Sequence, residues 1–275
     1  MMWTNGCVSM ANNGVKADRY EEKLGHGANV GHDIASRVLY EDNHIIIVNK
    51  LPGEIVQADK TGDRTLADEV KAYLKEKYNK PGNVFLGLPH RLDRPTSGLV
   101  VFARTDKALS RLNNMFRENS MHKVYWAIVD KPLEKEEGQL RHYLYRDSNK
   151  NKSFAYKPDP VTDQAPQVRG VPASALQEAK LTYKQLAVSE RYVLLEIRLI
   201  TGRHHQIRAQ LAACGVHIKG DLKYGFARSN PDGGISLHSR SISFVHPVSG
   251  LGINVVARPP KDALWDFFLE EMNLA

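Results

Sequence analysis

Hydrophobic residues recur along the chain in patterns that predict a large β-sheet. His44–Val48, HIIIV, is rich in β-branched residues, and Gly98–Ala103, GLVVFA, is continuously apolar, as buried strands are. His122–Val129 predicts a third strand. Further strands, several with period-two alternation, are predicted over Gln139–Tyr145, Leu181–Val188, Tyr192–Ile200, Ile235–Val245 and Ile253–Ala257.

Apolar residues at helical spacing predict four helices between these strands. The first runs from Leu66 to Tyr78 behind a capping pair at Thr65 and Asp68. The others are predicted after Thr105, over Arg203–Cys214 with an end at Gly215, and over Lys261–Met272. Strands that cluster without strict alternation with helices indicate an α+β fold on a mixed sheet.

The first part of the chain has a different composition from the rest. Residues 1–36 contain repeated Gly and Asn and few large apolar side chains, so they bury too little surface to offset the entropy of ordering. We expect a flexible tail over 1–36 and one folded domain over 37–275. The whole chain has 275 residues and is 42% hydrophobic, which is enough for a substantial core.

Charge and cysteine content narrow the function classes. The formal charge of +7 and a pI near 9.3 are compatible with a polyanionic partner, although many soluble proteins are mildly basic. Cys7 and Cys214 are far apart and form no CxxC pair, which argues against a disulfide framework and a thiolate zinc site. No run approaches the roughly 18 apolar residues of a membrane span, and no secretion signal is evident. We therefore expect a cytoplasmic protein.

The segment His90–Phe102, HRLDRPTSGLVVF, places one carboxylate between two guanidinium groups. Asp93 lies between Arg91 and Arg94, and Pro95 stiffens the turn that follows. A surface ion pair would look the same and would contribute only about 0 to 1 kcal/mol. The turn leads directly into a predicted buried strand, so Asp93 is expected at the entrance of the sheet, where pockets form.

A second cationic segment, Thr201–Arg208, follows about a hundred residues later and reads TGRHHQIR. A guanidinium from Arg208 could hold a buried carboxylate ionised; the alternative is a basic helix start facing solvent. His204 and His205 are adjacent, so their side chains diverge on a helix, and no HExxH motif accompanies them. No metal, nucleophilic triad or phosphate-binding loop is indicated.

An aromatic pair occupies the strand that begins at His122. Tyr125 and Trp126 are neighbours, so they should face opposite sides of the sheet. One of them could face a cleft, although an aromatic residue in a strand is more often part of the core. Lys123 and neighbouring basic residues offer a track for phosphates, or simply a solvated surface.

These segments together resemble the RluA-type RNA pseudouridine synthases. The resemblance runs from about Arg37 to about Pro260 in the family's order, and it rests on four motifs: HRLDRPTSGLVVFAR, Lys123-x-Tyr125-x-Ala127, ITGRHHQIRAQL, and Gly220-Asp221-x-x-Tyr224-Gly225. One departure is Leu51 in Asn49-Lys50-Leu51-Pro52-Gly53, where the family more often has proline. No catalytic role is carried at that position.

The resemblance implies an isomerase that converts uridine to pseudouridine in structured ribosomal or transfer RNA, with neither a metal nor an organic cofactor. It implies a mixed, largely antiparallel, bent sheet with a central cleft. By carry-over, Asp93 is the catalytic carboxylate, Tyr125 stacks on the target base, and Arg208 pairs with Asp93. The residues expected to contact RNA are Arg91, Arg94, Lys123, Arg203 and His205.

The resemblance also implies a compact form of the enzyme, without an appended N-terminal RNA-binding module, and we expect a monomer. One alternative is a non-catalytic RNA-binding protein on the same fold, but binding alone does not require Asp93, which would repel phosphate. A phosphatase or glycoside hydrolase would need a second placed acid. Asp221 is the only remote candidate for that role.

Overall fold

The structure, a computed structural model, describes residues 33–58 and 62–274. These residues contain ten β-strands and four α-helices. The strands are β1 Val38–Glu41, β2 Ile45–Lys50, β3 Ser97–Ala103, β4 His122–Val129, β5 Glu137–Asp147, β6 Lys152–Tyr156, β7 Gln177–Val188, β8 Val193–Leu199, β9 Leu237–Val245 and β10 Gly252–Val256. The helices are α1 Leu66–Lys77, α2 Asp106–Arg117, α3 Gln206–Ala213 and α4 Ala263–Glu271. Short 3-10 helices cover Ala35–Arg37, Ala173–Ala175 and Leu222–Tyr224.

All ten strands belong to one sheet. Its order is β1-β2-β3-β9-β4-β8-β7-β5-β6, and β10 pairs with β9. Each pairing is antiparallel except the one between β3 and β9, which is parallel. The mixed, largely antiparallel sheet predicted from the sequence is therefore present.

The parallel contact between β3 and β9 lies in the middle of the sheet and requires a glycine. Ser97 pairs with His238 and Gly98 with Ser239. Gly98 has a φ of 109°, and a Cβ atom there would lie 2.5 Å from the Ser239 backbone nitrogen. This close approach brings the loop that precedes β3 next to the central strands.

Helices pack on both faces of the sheet. On one face, α1 and α3 join a core cluster with side chains of β2, β3, β4 and β8, which includes Tyr125. On the other face, α2 packs on β2 and β3, and α4 packs on a cluster that contains Trp126. The predicted separation of Tyr125 and Trp126 onto opposite faces is confirmed.

Three details differ from the sequence-based predictions. β6 was not predicted; it forms a hairpin with β5. Helix α3 begins at Gln206 rather than Arg203, because His205 adopts a left-handed backbone with a φ of 52°. Residues 1–32 of the predicted tail lie outside the described residues, whereas Ile34 is 5% exposed and belongs to the core. The boundary predicted at residue 36 thus falls within a structured segment.

Candidate active site

Asp93 lies in a loop that the side chain of a buried lysine holds in place. Lys50, at the end of β2, is fully buried, and its Nζ donates to the carbonyl oxygens of Leu51 at 2.9 Å, Arg94 at 3.0 Å and Thr96 at 2.6 Å. These three acceptors match the three protons of an ammonium group, although burial lowers the pKa of Lys50 to about 7. Within the loop, the Thr96 amide donates to the Asp93 carbonyl at 3.0 Å. The backbone from Asp93 to Thr96 is therefore held in place.

Arg208, on α3, bridges two carboxylates. Its Nη1 donates to Asp93 Oδ2 at 3.0 Å, while its Nε and Nη2 donate to Asp221 at 2.7 and 2.8 Å. Arg208 and Asp221 are 5% and 1% exposed. Against the desolvation of its burial, the hydrogen bonds and charge of Asp221 raise the pKa of Arg208 above its ordinary value. Because both Asp221 oxygens are engaged by Arg208, Asp221 does not serve as the second, substrate-facing acid that a hydrolase would need.

The turn before α3 is fixed by the side chain of Gln206. Its Oε1 accepts from the Thr201 hydroxyl at 2.8 Å and from the Arg203 amide at 2.9 Å, and its Nε2 donates to the Lys180 carbonyl at 3.0 Å. These bonds attach the start of α3 to β7. The position of Arg208, two residues further along α3, follows from this attachment.

Tyr125 projects from β4 towards Asp93. The pairing of β4 with β9 shifts register between Val124 and Tyr125, and such irregularities re-aim side chains near functional sites. Burial raises the pKa of Tyr125 to about 12, against a hydrogen bond with Ser239. The phenol is therefore neutral near pH 7 and presents an aromatic surface at the edge of the cleft.

The two adjacent histidines stack on each other, with ring centroids 3.8 Å apart. His205 Nε2 lies 3.4 Å from Asp93 Oδ2, and its Nδ1 lies 2.9 Å from the Tyr224 hydroxyl. Burial lowers the pKa of His205 to about 3, so the ring is neutral near pH 7. His205 therefore lines the cleft as a neutral ring beside Asp93 and Tyr224, and its contact with RNA stays a prediction.

Three adjoining cavities, of 420, 610 and 100 Å³, meet at Asp93. Arg91, Asp93 and His205 line all three of them. Each of the other predicted residues lines at least one cavity. Arg94 and Arg208 line the first cavity, and Lys123, Tyr125 and Arg203 line the second. Tyr125, Arg203 and Arg208 line the third cavity. The fold therefore brings all eight sequence-predicted site residues to one cleft.

Two residues of this site had no role in the sequence analysis. Lys50 supports the Asp93 loop, and Tyr224 contacts both His205 and Arg208, with its ring 4.9 Å from the guanidinium carbon. A lysine at the end of an apolar strand and a tyrosine inside the Gly220–Gly225 motif were the available signals. Neither reveals its contacts without the fold.

Neither a metal site nor a membrane-spanning helix is found in the described residues. Within 33–58 and 62–274, no group of three or more His, Cys, Asp or Glu side chains is arranged to hold a metal ion. In the same ranges, every helix is too short or too polar to cross a bilayer.

Comparison with known proteins identifies the family. The sequence profile described as RNA pseudouridylate synthase matches residues 44–213. The chain belongs to this family. It is 31% identical over 244 residues to "Ribosomal large subunit pseudouridine synthase D" of Zymomonas mobilis, covering 85% of this chain and 72% of that protein. It is also 31% identical over 251 residues to "Ribosomal large subunit pseudouridine synthase C" of Escherichia coli, covering 85% of this chain and 70% of that protein.

A solved structure supports the fold. The chain matches "Human RNA Pseudouridylate Synthase Domain Containing 4" with a TM-score of 0.69 and 22% identity, over 87% of this chain and 94% of that one. The α+β fold and the RluA-type resemblance are confirmed. The protein is an RNA pseudouridine synthase, an isomerase, and the non-catalytic alternative gives way to this assignment.

Proposed function

We propose that this RNA pseudouridine synthase converts specific uridines to pseudouridine in structured ribosomal RNA of the large subunit, with Asp93 as its catalytic carboxylate. The observation that carries the proposal is the position of Asp93. Its carboxylate is held by Arg208 and lies where three cavities meet. The substrate class follows from the names of the relatives above; transfer RNA is the other class that the sequence left open.

The residue types suit the reaction. The bond between uracil and C1′ of the ribose must break, the base must turn, and a new bond must form from C5 of the base to C1′. One ionised carboxylate can attack or deprotonate the sugar as the base departs. Arg208 gives the Asp93 carboxylate a cationic partner, and the face of Tyr125 offers a stacking surface for the detached uracil. No step in this scheme uses a metal or an organic cofactor.

The cleft also suits a nucleotide that has left its helix. Flipping a base out of structured RNA costs a few kcal/mol, which stacking and backbone contacts repay. Arg91 and Arg94 line the first cavity, and Lys123 and Arg203 line the second. We propose that these cations bind the phosphates on the two sides of the flipped nucleotide.

A release assay tests the catalytic role. RNA transcribed with uridine tritiated at C5 loses its label to water when C5 bonds to the ribose. Asp93→Asn should abolish release, by more than about 1,000-fold, because an amide is a poor nucleophile and base. Binding of the same RNA, measured on filters, should persist.

Asp266→Asn is the matched control. It makes the same change of charge at the start of α4, on the face of the sheet opposite Tyr125. It should keep the wild-type rate. Full activity of Asp93→Asn would overturn the assigned role. Label release from transfer RNA transcripts but not from large-subunit transcripts would overturn the proposed substrate.

The cellular setting is also a proposal. We propose that the enzyme acts in the cytoplasm, as a monomer. The low cysteine content supports a reducing compartment. Sedimentation of the purified protein with and without RNA would test the monomer.

A further inference from the structure

His205 has a backbone conformation that its position just before α3 does not explain. It precedes the helix with φ 52° and ψ 28°, a left-handed region that few non-glycine residues adopt. Its side chain makes no capping bond to the helix. Strained backbones of this kind often belong to functional sites. Here the strained residue points its ring at Asp93.

The surroundings of His205 indicate which ring nitrogen carries the proton, because Nδ1 faces a hydroxyl and Nε2 faces a carboxylate. The Ser153 amide, on β6, donates to the Tyr224 hydroxyl oxygen at 2.9 Å, so the hydroxyl proton is free to point at His205 Nδ1, 2.9 Å away. With Nδ1 accepting, the proton of the neutral ring lies on Nε2 and faces Asp93 Oδ2 at 3.4 Å. The opposite tautomer would place a lone pair against the carboxylate.

Neutrality of both rings supports this assignment. Burial lowers the pKa of His205 to about 3 and raises that of Tyr224 to about 12. Each ring therefore stays neutral across the physiological range. The chain of contacts runs from the Ser153 amide through Tyr224 and His205 to Asp93.

The chain has a consequence for the two oxygens of Asp93. Oδ2 accepts from Arg208 Nη1 at 3.0 Å, and His205 Nε2 lies 3.4 Å from the same oxygen. Oδ1 accepts no hydrogen bond from any residue in the described part of the chain, and the side chain is 30% exposed to the cleft. Both groups approach Oδ2 and leave the other oxygen of the carboxylate open.

We propose that His205 and Tyr224 are positioning residues that hold the Asp93 carboxylate with Oδ2 occupied, so that Oδ1 is the oxygen that acts on the ribose. This role rests on the proposed function, because it assumes that Asp93 is catalytic. It differs from a phosphate contact by His205, and it assigns Tyr224 to the active site. A purely structural role, in which both residues only attach α3 to β6, is the competing explanation.

The first test needs no substrate. Nitrogen-15 NMR of histidine-labelled wild-type protein distinguishes the two neutral tautomers and the cation. His205 should show the neutral Nε2–H form at pH 7 and should not titrate down to pH 5. An Nδ1–H form, or a cation at pH 7, would overturn the proposal whether or not the enzyme's RNA is known.

A pair of variants provides the second test. In His205→Gln the side-chain amide can occupy the place of Nε2 and still donate to Asp93, whereas in His205→Asn it reaches only the level of Nδ1. Asn, however, suits the left-handed backbone better than Gln. A structural role therefore predicts that the Asn variant performs at least as well, and the positioning role predicts the reverse.

The measurement is the single-turnover rate of tritium release from large-subunit ribosomal RNA labelled at C5 of uridine, with enzyme in excess. His205→Gln should lie within about tenfold of the wild type, and His205→Asn should fall by about 100-fold, the typical cost of a misplaced catalytic group. The dissociation constant for RNA should be the same for both, and melting temperatures should not favour Gln.

The outcomes distinguish a failure of the proposed function from a failure of the positioning role. A wild-type protein that releases no tritium from any RNA overturns the proposed function, and this role with it. An active wild type, inactivated by Asp93→Asn, whose two His205 variants are equally active, overturns the positioning role alone. Slower release by Tyr224→Phe, which keeps the ring against Arg208 and removes only the hydroxyl, supports it; an unchanged rate contradicts it.

Discussion

At the scale of single residues, the site depends on one guanidinium shared by two acids of different burial. Arg208 gives two donors to Asp221, which is 1% exposed, and one to Asp93, whose side chain is 30% exposed. The deep acid fixes the guanidinium, and the shallow acid meets the cleft. Asp93 thus keeps a cationic partner without having both oxygens covered.

Asp221→Asn tests this division. An amide offers only one acceptor to Arg208 and turns an NH₂ group towards the other N–H, so the folded state loses a buried charge-assisted bond. We expect the free energy of unfolding to fall by about 1–3 kcal/mol and tritium release to slow, because Arg208 is less well held. Asp130→Asn is the control: its pair with His217 is more exposed, at 29% and 27%. It should cost under about 1 kcal/mol. Equal losses in urea denaturation would contradict the division.

The sequence predicted the contact between the charged residues Arg208 and Asp93, but it did not predict the neutral state of His205. The resemblance predicted that Arg208 and Asp93 would meet although they are 115 positions apart, and the structure places them 3.0 Å apart. It gave His205 the role of an RNA contact, which stays a prediction. Its neutral state and its proton position depend on burial and on Tyr224, and neither can be read from the residue type.

At the scale of elements, the catalytic loop owes its place to the parallel contact of β3 with β9. That contact covers only Ser97 and Gly98, after which β3 pairs with β2 alone among the strands and meets Gly87 at Ala103. This contact adjoins the Asp93 loop, so a displacement of β3 would also displace the Asp93 carboxylate.

Gly98→Ala should disrupt this contact. The new Cβ would lie 2.5 Å from the Ser239 nitrogen and 2.8 Å from its carbonyl carbon, and these backbone atoms cannot move without breaking the sheet. This clash and the strain of a φ of 109° should together lower the free energy of unfolding by more than about 3 kcal/mol. Gly250→Ala isolates the strain, because its φ is 77° and nothing lies within 4 Å of the added atom. It should cost about 1 kcal/mol. Similar melting temperatures for the two variants would show that the contact is not tight.

The sequence predicted the elements better than their ends. The apolar runs of β2, β3 and β4 and the capping box at Thr65 were strong local signals. β6 is only five residues long and lies at the sheet edge, so it has few apolar positions to reveal it. The start of α3 was misplaced because a left-handed histidine is not visible in a pattern of polar residues.

At the scale of the whole molecule, the cleft is made from segments that are distant in sequence. The loop before β3, the start of β4 and the turn before α3 converge because β9, a late strand, is inserted between β3 and β4. Local patterns could not predict this strand order. The family resemblance could, because it carries the fold as a whole.

The fold also buries ionisable histidines, and this makes its stability depend on pH. Burial lowers the pKa of His142 to about 4 and those of His90, His205 and His238 to about 3, whereas an unfolded histidine has a pKa of about 6.5. Between these values the unfolded chain binds protons that the folded chain does not. Stability from these groups is therefore complete above about pH 7 and is lost as the pH falls towards 4.

Each of the four groups adds a slope of up to about 1.4 kcal/mol per pH unit, so the free energy of unfolding should fall steeply between about pH 6.5 and 5, ahead of the carboxylates. Urea denaturation at several pH values measures that slope. His142→Gln should reduce it by about a quarter, since one of four proton uptakes is removed. His122→Gln, at an exposed position of β4, should keep the wild-type slope. If His142→Gln left the slope unchanged, the ring of His142 would have to be protonated in the folded state, which its burial opposes.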